Sequence, residues 1–138
     1  MNYIYKYYQK IQDGSIVVGE WVRLVYEYII HGLENKSFFY DGKKANHAIE
    51  FIEKFCRHAE GSLAPQHIKL ELWQKALVSA MFGILDDEGN RQFREVFLVV
   101  GRKNGKTLLL SAIAQYCAFA DGEYGGRVYF TAPKMEQA

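Results

Sequence analysis

The chain predicts an α/β fold, with a helical N-terminal region over residues 1–90 and the opening strand–loop–helix–strand of a sheet over residues 91–138. Three observations carry this reading. Apolar residues recur at helical spacing in segments before Arg91, a β-branched apolar run follows at Val96–Val100, and a Gly-containing turn then leads into a Leu/Ala-rich stretch. A second apolar run at Arg127–Thr131 completes the order strand, helix, strand. That order is a βαβ unit, which normally means a parallel sheet with right-handed crossovers.

Taken in order, Met1 to about Ile11 predicts a short helix ended by Asp13-Gly14. Glu20–Ile30 places Trp21, Leu24, Val25, Tyr28 and Ile29 at helical spacing, with Gly32 as a stop. Ser37–Gly42 reads as a short aromatic strand with a turn signal. Lys44–His58 restores the 3.6-residue rhythm through Ala48, Ile49, Ile52, Phe55 and Cys56, and Gly61-Ser62 breaks it. A further amphipathic helix is expected over 70–82, with Leu72, Trp73, Ala76, Leu77, Ala80 and Met81 as its stripe. Asp87–Asn90 is a turn. Beyond it come a strand at Arg94–Val100, a loop, a helix at Lys106–Ala120, a strand at Arg127–Thr131 and the start of another element at Pro133.

Composition narrows the function classes. A hydrophobic fraction of 49% with ten Tyr and nine Phe supplies a packed core in 138 residues and argues against disorder. Lys and Arg total 17 against 16 Asp and Glu, so net charge leaves no nucleic-acid footprint and any such contact needs a local patch. Cys56 and Cys117 have no CxxC partner and suit reduced thiols. The spacing of Cys56 to His47 and His58 matches no zinc pattern. The Leu108–Ala120 stretch is too short to span a bilayer, so a soluble protein without membrane partners is expected.

The chemistry concentrates in Gly101-Arg102-Lys103-Asn104-Gly105-Lys106-Thr107. A loop between strand and helix turns backbone N–H groups inward, and the following helix aims the positive end of its dipole at the same point, which holds a polyphosphate. Lys106 would reach the terminal phosphates and the Thr107 hydroxyl would hold Mg²⁺, so ATP-Mg²⁺ is the expected ligand. The GxxxxGK[ST] pattern is incomplete, because its first Gly would fall at Val100 and the chain has Gly101 one residue late. A second acidic candidate, Asp86-Asp87-Glu88, follows an apolar run but precedes the loop and reads as a solvated turn.

With these elements placed, the chain resembles the N-terminal part of a bacteriophage terminase large subunit, an ATP-driven DNA-packaging motor. The resemblance rests on the loop with its early Arg102 and late Gly105-Lys106-Thr107, on Leu72-Trp73-Gln74, on Phe82-Gly83 with Arg91–Glu95, and on Asp121-Gly122-Glu123 before Val128–Pro133, with Gln137-Ala138 at the close. It implies the first part of a P-loop NTPase sheet of the ASCE type, cut short, in a phage- or prophage-encoded protein of the host cytoplasm. Arg102 becomes a candidate arginine finger acting in cis beside Lys106, and Gln74 with Trp73 a candidate adenine-recognising pair. Lys103, Asn104, Gly105, Lys106 and Thr107 form the expected phosphate and metal side of the site. For the full-length parent the resemblance implies viral double-stranded DNA, a small terminase subunit and a portal as partners, together with a nuclease half and a ring homo-oligomer.

No suitably placed acidic pair follows Thr131, so the chain is expected to be a fragment that binds ATP-Mg²⁺ without meaningful hydrolysis. Two alternatives remain open: a piece of another P-loop DNA motor such as a helicase, and an inert module that docks a partner through its helical region.

Overall fold

The computed structural model describes residues 1–58, 62–122, 126–129 and 131. Five helices are present among the described residues: α1 (Tyr3–Gln12), α2 (Glu20–Glu34), α3 (Gly42–Phe55), α4 (Leu72–Gly83) and α5 (Lys106–Phe119). Two strands, β1 (Phe39–Tyr40) and β2 (Ile84–Leu85), pair antiparallel with Phe39 opposite Leu85 and Tyr40 opposite Ile84.

Helix starts follow capping chemistry. The Asn2 side chain accepts from the N–H groups of Ile4 and Tyr5, and Asp41 accepts from those of Lys43 and Lys44. The same aspartate therefore ends β1 and opens α3. Its own N–H donates to the Gly83 carbonyl at 2.7 Å, which ties the start of α3 to the end of α4.

Helix α4 is the centre of the molecule. One core lies between it, α3 and α5, built from Ala48, Ile49, Ile52, Val78, Phe82, Leu109, Ile113 and Tyr116. The other lies between α4, α1 and α2, built from Ile4, Tyr7, Tyr26, Ile29, Ile30, Phe38, Ala76, Ala80 and Ile84. A helix buried from two sides needs apolar residues around its circumference rather than along one stripe. The expected stripe is accordingly too narrow: Val78, Ser79, Phe82 and Gly83 are buried alongside Ala76 and Ala80.

Helix α2 corrects the sequence reading in two ways. It buries Tyr26, Ile29 and Ile30, whereas Trp21 is 80% exposed and Leu24, Val25 and Tyr28 also face outward. Only Ile29 of the expected stripe is buried. Nor is Gly32 a stop, since the helix runs through it to Glu34. A Cβ there would lie 2.0 Å from Phe38 Cζ, so the missing side chain admits the Phe38 ring into the core. In α3 the expected face holds except for Phe55, which is 70% exposed at the helix end.

The largest departure concerns the sheet. Residues 94–100 form no strand, and neither do the described residues 126–129 and 131. The parallel βαβ sheet is therefore not formed among the described residues, and the sheet present is the small antiparallel pair β1–β2. The physical reason is that a helix closes its hydrogen bonds within its own segment, whereas a strand needs a neighbour to close them. Residues 96–100 lie without a ladder: Leu98 packs on the α3–α4–α5 core while Phe97 and Val99 stay exposed. The expected Gly61 helix break, Glu123, Phe130 and the element starting at Pro133 through Gln137-Ala138 lie outside the described residues.

Candidate functional site

The loop expected to hold phosphate runs from Gly101 to Gly105, immediately before α5. Two of its residues take the left-handed conformation, Lys103 at φ 66° and Gly105 at φ 69°. Glycine adopts that region freely, while a lysine there is uncommon. Between them Asn104 donates from Nδ2 to the Gly101 carbonyl at 3.2 Å, closing the turn on itself. The chain is thereby reversed into a compact bend that delivers Lys106 to the first position of α5.

Gly105 is the N-cap of α5, and no side chain caps that helix start. The first-turn N–H groups therefore lack the side-chain acceptor that Asn2 and Asp41 give α1 and α3. Helix α5 begins with Leu109 N–H donating to the Gly105 carbonyl at 2.9 Å. Arg102, Lys103, Lys106 and Thr107 are all exposed at this end, and none forms a salt bridge among the described residues. Three cations and a hydroxyl thus surround a helix dipole's positive end. The combination suits a polyphosphate and its counter-cation.

The start of α4 meets this loop. A Cβ built on Gly105 would lie 3.9 Å from Gln74 Nε2, so the Gln74 amide borders the bend. Its other end is committed, because Oε1 accepts from the Glu71 N–H at 2.8 Å. Trp73 Nε1–H donates to Glu71 Oε2 at 2.7 Å, and its half-buried ring packs against both cores. Gln74 is therefore brought beside Gly105, with its Nε2 end toward the loop, and Trp73 is its neighbour at the start of α4.

Sequence reasoning missed the residue that orients both. Glu71 supplies the backbone donor for Gln74 and the carboxylate for Trp73, and the Glu-x-x-Gln spacing at a helix start was the available signal. Glu53 was missed as well. Its Oε1 accepts from the Leu70 N–H at 3.0 Å and pairs with Lys75 Nζ at 3.1 Å, anchoring the start of α4 to α3.

The remaining candidates resolve simply. Asp86 accepts at Oδ1 from the N–H groups of Glu88 and Asn90, and Asp87 and Glu88 are exposed in that turn. Cys56 and Cys117 form no disulfide among the described residues, and burial pushes the Cys56 thiol above its ordinary range. Among the described residues no group of three or more His, Cys, Asp or Glu gathers around one point. No helix among them is long and apolar enough to cross a membrane.

Residues 72–138 match the family model described as terminase large subunit, ATPase domain. The matched span starts at the first residue of α4 and contains the loop and all of α5. Over that span the chain is similar to terminase large-subunit ATPase domains. No curated protein and no solved structure matches the chain.

Proposed function

We propose, starting from a chain whose residues 72–138 match the terminase large-subunit ATPase family model, that its loop binds ATP-Mg²⁺ for a viral DNA-packaging motor. The observation that carries this reading is the bend at Lys103–Gly105 feeding directly into a helix start with no side-chain cap, beside the Gln74 amide. A triphosphate would satisfy the first-turn N–H groups of α5, which is what an anion does at such a terminus. Lys106 would neutralise the terminal phosphates, and the Thr107 hydroxyl would serve as a ligand to Mg²⁺. When bound, the metal would neutralise phosphate charge.

Arg102 sits at the other end of the bend, exposed and without a carboxylate partner among the described residues. A planar guanidinium there suits paired hydrogen bonds to phosphate oxygens, the task of an arginine finger. Trp73 and Gln74 would face the nucleobase, and since Gln74 Oε1 is held by Glu71, recognition would use the Nε2 donor. Turnover is a separate matter, because hydrolysis also needs a carboxylate near the metal and a residue to orient water. We infer binding without hydrolysis for this chain, with DNA, the small subunit and the portal as partners of the whole motor.

Thermal unfolding tests the proposal. ATP-Mg²⁺ at about tenfold excess over Kd should raise Tm by roughly 3–8 °C. Lys106→Ala should abolish the shift while leaving the unliganded Tm unchanged, since the side chain is exposed. An equal shift in wild type and Lys106→Ala would remove the loop from the binding site. Phosphate release that vanishes in Lys106→Ala would overturn the inference of binding without turnover.

A further inference from the structure

Helix α5 carries 14 residues away from the loop, roughly 20 Å at 1.5 Å per residue, and a second concave surface lies at its far end. This cleft of about 600 Å³ is walled by the start of α3, the turn after β2 and the end of α5. Lys43, Lys44 and His47 come from the first, Arg91 from the second, and Tyr116 and Asp121 from the third.

Charge in the cleft is unbalanced. Three cations line it against one lining carboxylate, Asp121, which pairs with Arg91 at 3.0 Å. Lys43 and Lys44 form no salt bridge among the described residues, and the Lys44 ammonium reaches only a neutral acceptor, the Gly89 carbonyl at 3.4 Å. Within the adjoining turn Asp86 accepts from two backbone N–H groups and Glu88 from Asn90 Nδ2. His47 Nδ1 lies 3.1 Å from the Tyr116 hydroxyl, which leaves Nε2 as the polar edge of the ring. Concave surfaces with one excess sign concentrate counter-ions of the other.

We propose that this cleft is a second anion site that takes a small phosphate-bearing ligand through Lys43, Lys44 and His47, independently of the loop. Two lysines without carboxylate partners match the charge of a phosphate dianion. A small ligand fits better than an extended polyanion. The basic side chains are confined to one cleft, Asp87 and Glu88 stand exposed in the turn that walls it, and the chain as a whole carries a net charge of only +1.

The probe is inorganic pyrophosphate, read by the His47 ring Cε1–H resonance, assigned with His47→Gln. Wild type and Lys106→Ala should give the same saturable shift, which separates this site from the loop. The Lys43→Gln/Lys44→Gln variant should weaken binding about tenfold or more, while keeping the Tm rise with ATP-Mg²⁺. Both lysines are exposed, so the variant should fold, and its unliganded Tm checks this. No movement of the His47 resonance at millimolar pyrophosphate, or equal affinity in the double variant, would overturn the site. Saturation of that resonance by a short DNA duplex at a lower phosphate concentration than pyrophosphate requires would overturn the small-ligand assignment.

Discussion

The segments on either side of Arg91 have comparably clear apolar patterns, yet they end in different physical states. Before it, helices satisfy their own backbone groups and bury Ile4, Ile49, Ile52, Val78 and Phe82 in two cores. After it, the apolar run within residues 94–100 forms no ladder among the described residues, leaving Phe97 92% and Val99 95% exposed. The contrast separates local from non-local information. A helical pattern contains everything its hydrogen bonds need, while a strand pattern states only half of a ladder.

Hydrogen exchange should give the largest contrast. Amides in α4, such as Val78, should be protected by about 10³-fold or more, while Phe97 and Val99 exchange at nearly the free-peptide rate. Comparable protection of both in a monomer would mean that residues 94–100 have a partner, and the difference between the two regions would disappear.

Matched truncations come next. Ile52→Ala, at a fully buried position, should cost about 2–5 kcal/mol, whereas Val99→Ala should stay within about 0.5 kcal/mol. Urea unfolding measures both, and a large cost at Val99 would place that side chain in an unrecognised core.

The smallest effect lies at alkaline pH. Burial, reinforced by Asp121, pushes the Tyr116 hydroxyl up to about 12 against an ordinary value near 10. Between those values the unfolded chain releases a proton that the folded chain retains, so this contribution is complete below about pH 10 and falls as pH rises toward 12. Tyr116→Phe removes the titrating group and should flatten the fall in Tm over that range, although it also deletes the His47 contact. An unchanged slope would mean that other groups control the alkaline limb.

Much of the fold was legible because its signals were local. Helix α5 begins at Lys106 as expected and ends one residue earlier, at Phe119. The acidic turn at Asp86–Asn90 followed from its Gly-Asn content. What escaped depended on neighbours distant in sequence. The outward face of α2 could not be told from its inward face, because the two carry similar apolar residues and only docking against α1 chooses between them. Gly32 read as a terminator because nothing local announces the Phe38 ring. For the candidate site, the loop was singled out by its own spacing, whereas Gln74 entered only through the family resemblance, and its approach to Gly105 joins positions 31 apart in sequence (105 − 74 = 31). Glu71 was missed because its work is to orient other side chains.

Clamped along both flanks, α4 has no freedom to roll or slide without tearing open one core or the other. Trp73 and Gln74, at its tip, would therefore form the fixed side of the proposed site. Whatever accommodation an incoming ligand demands must come from the exposed bend opposite, so adjustment at the mouth is one-sided, and stiffening that bend should quicken capture more than any remodelling of the helix.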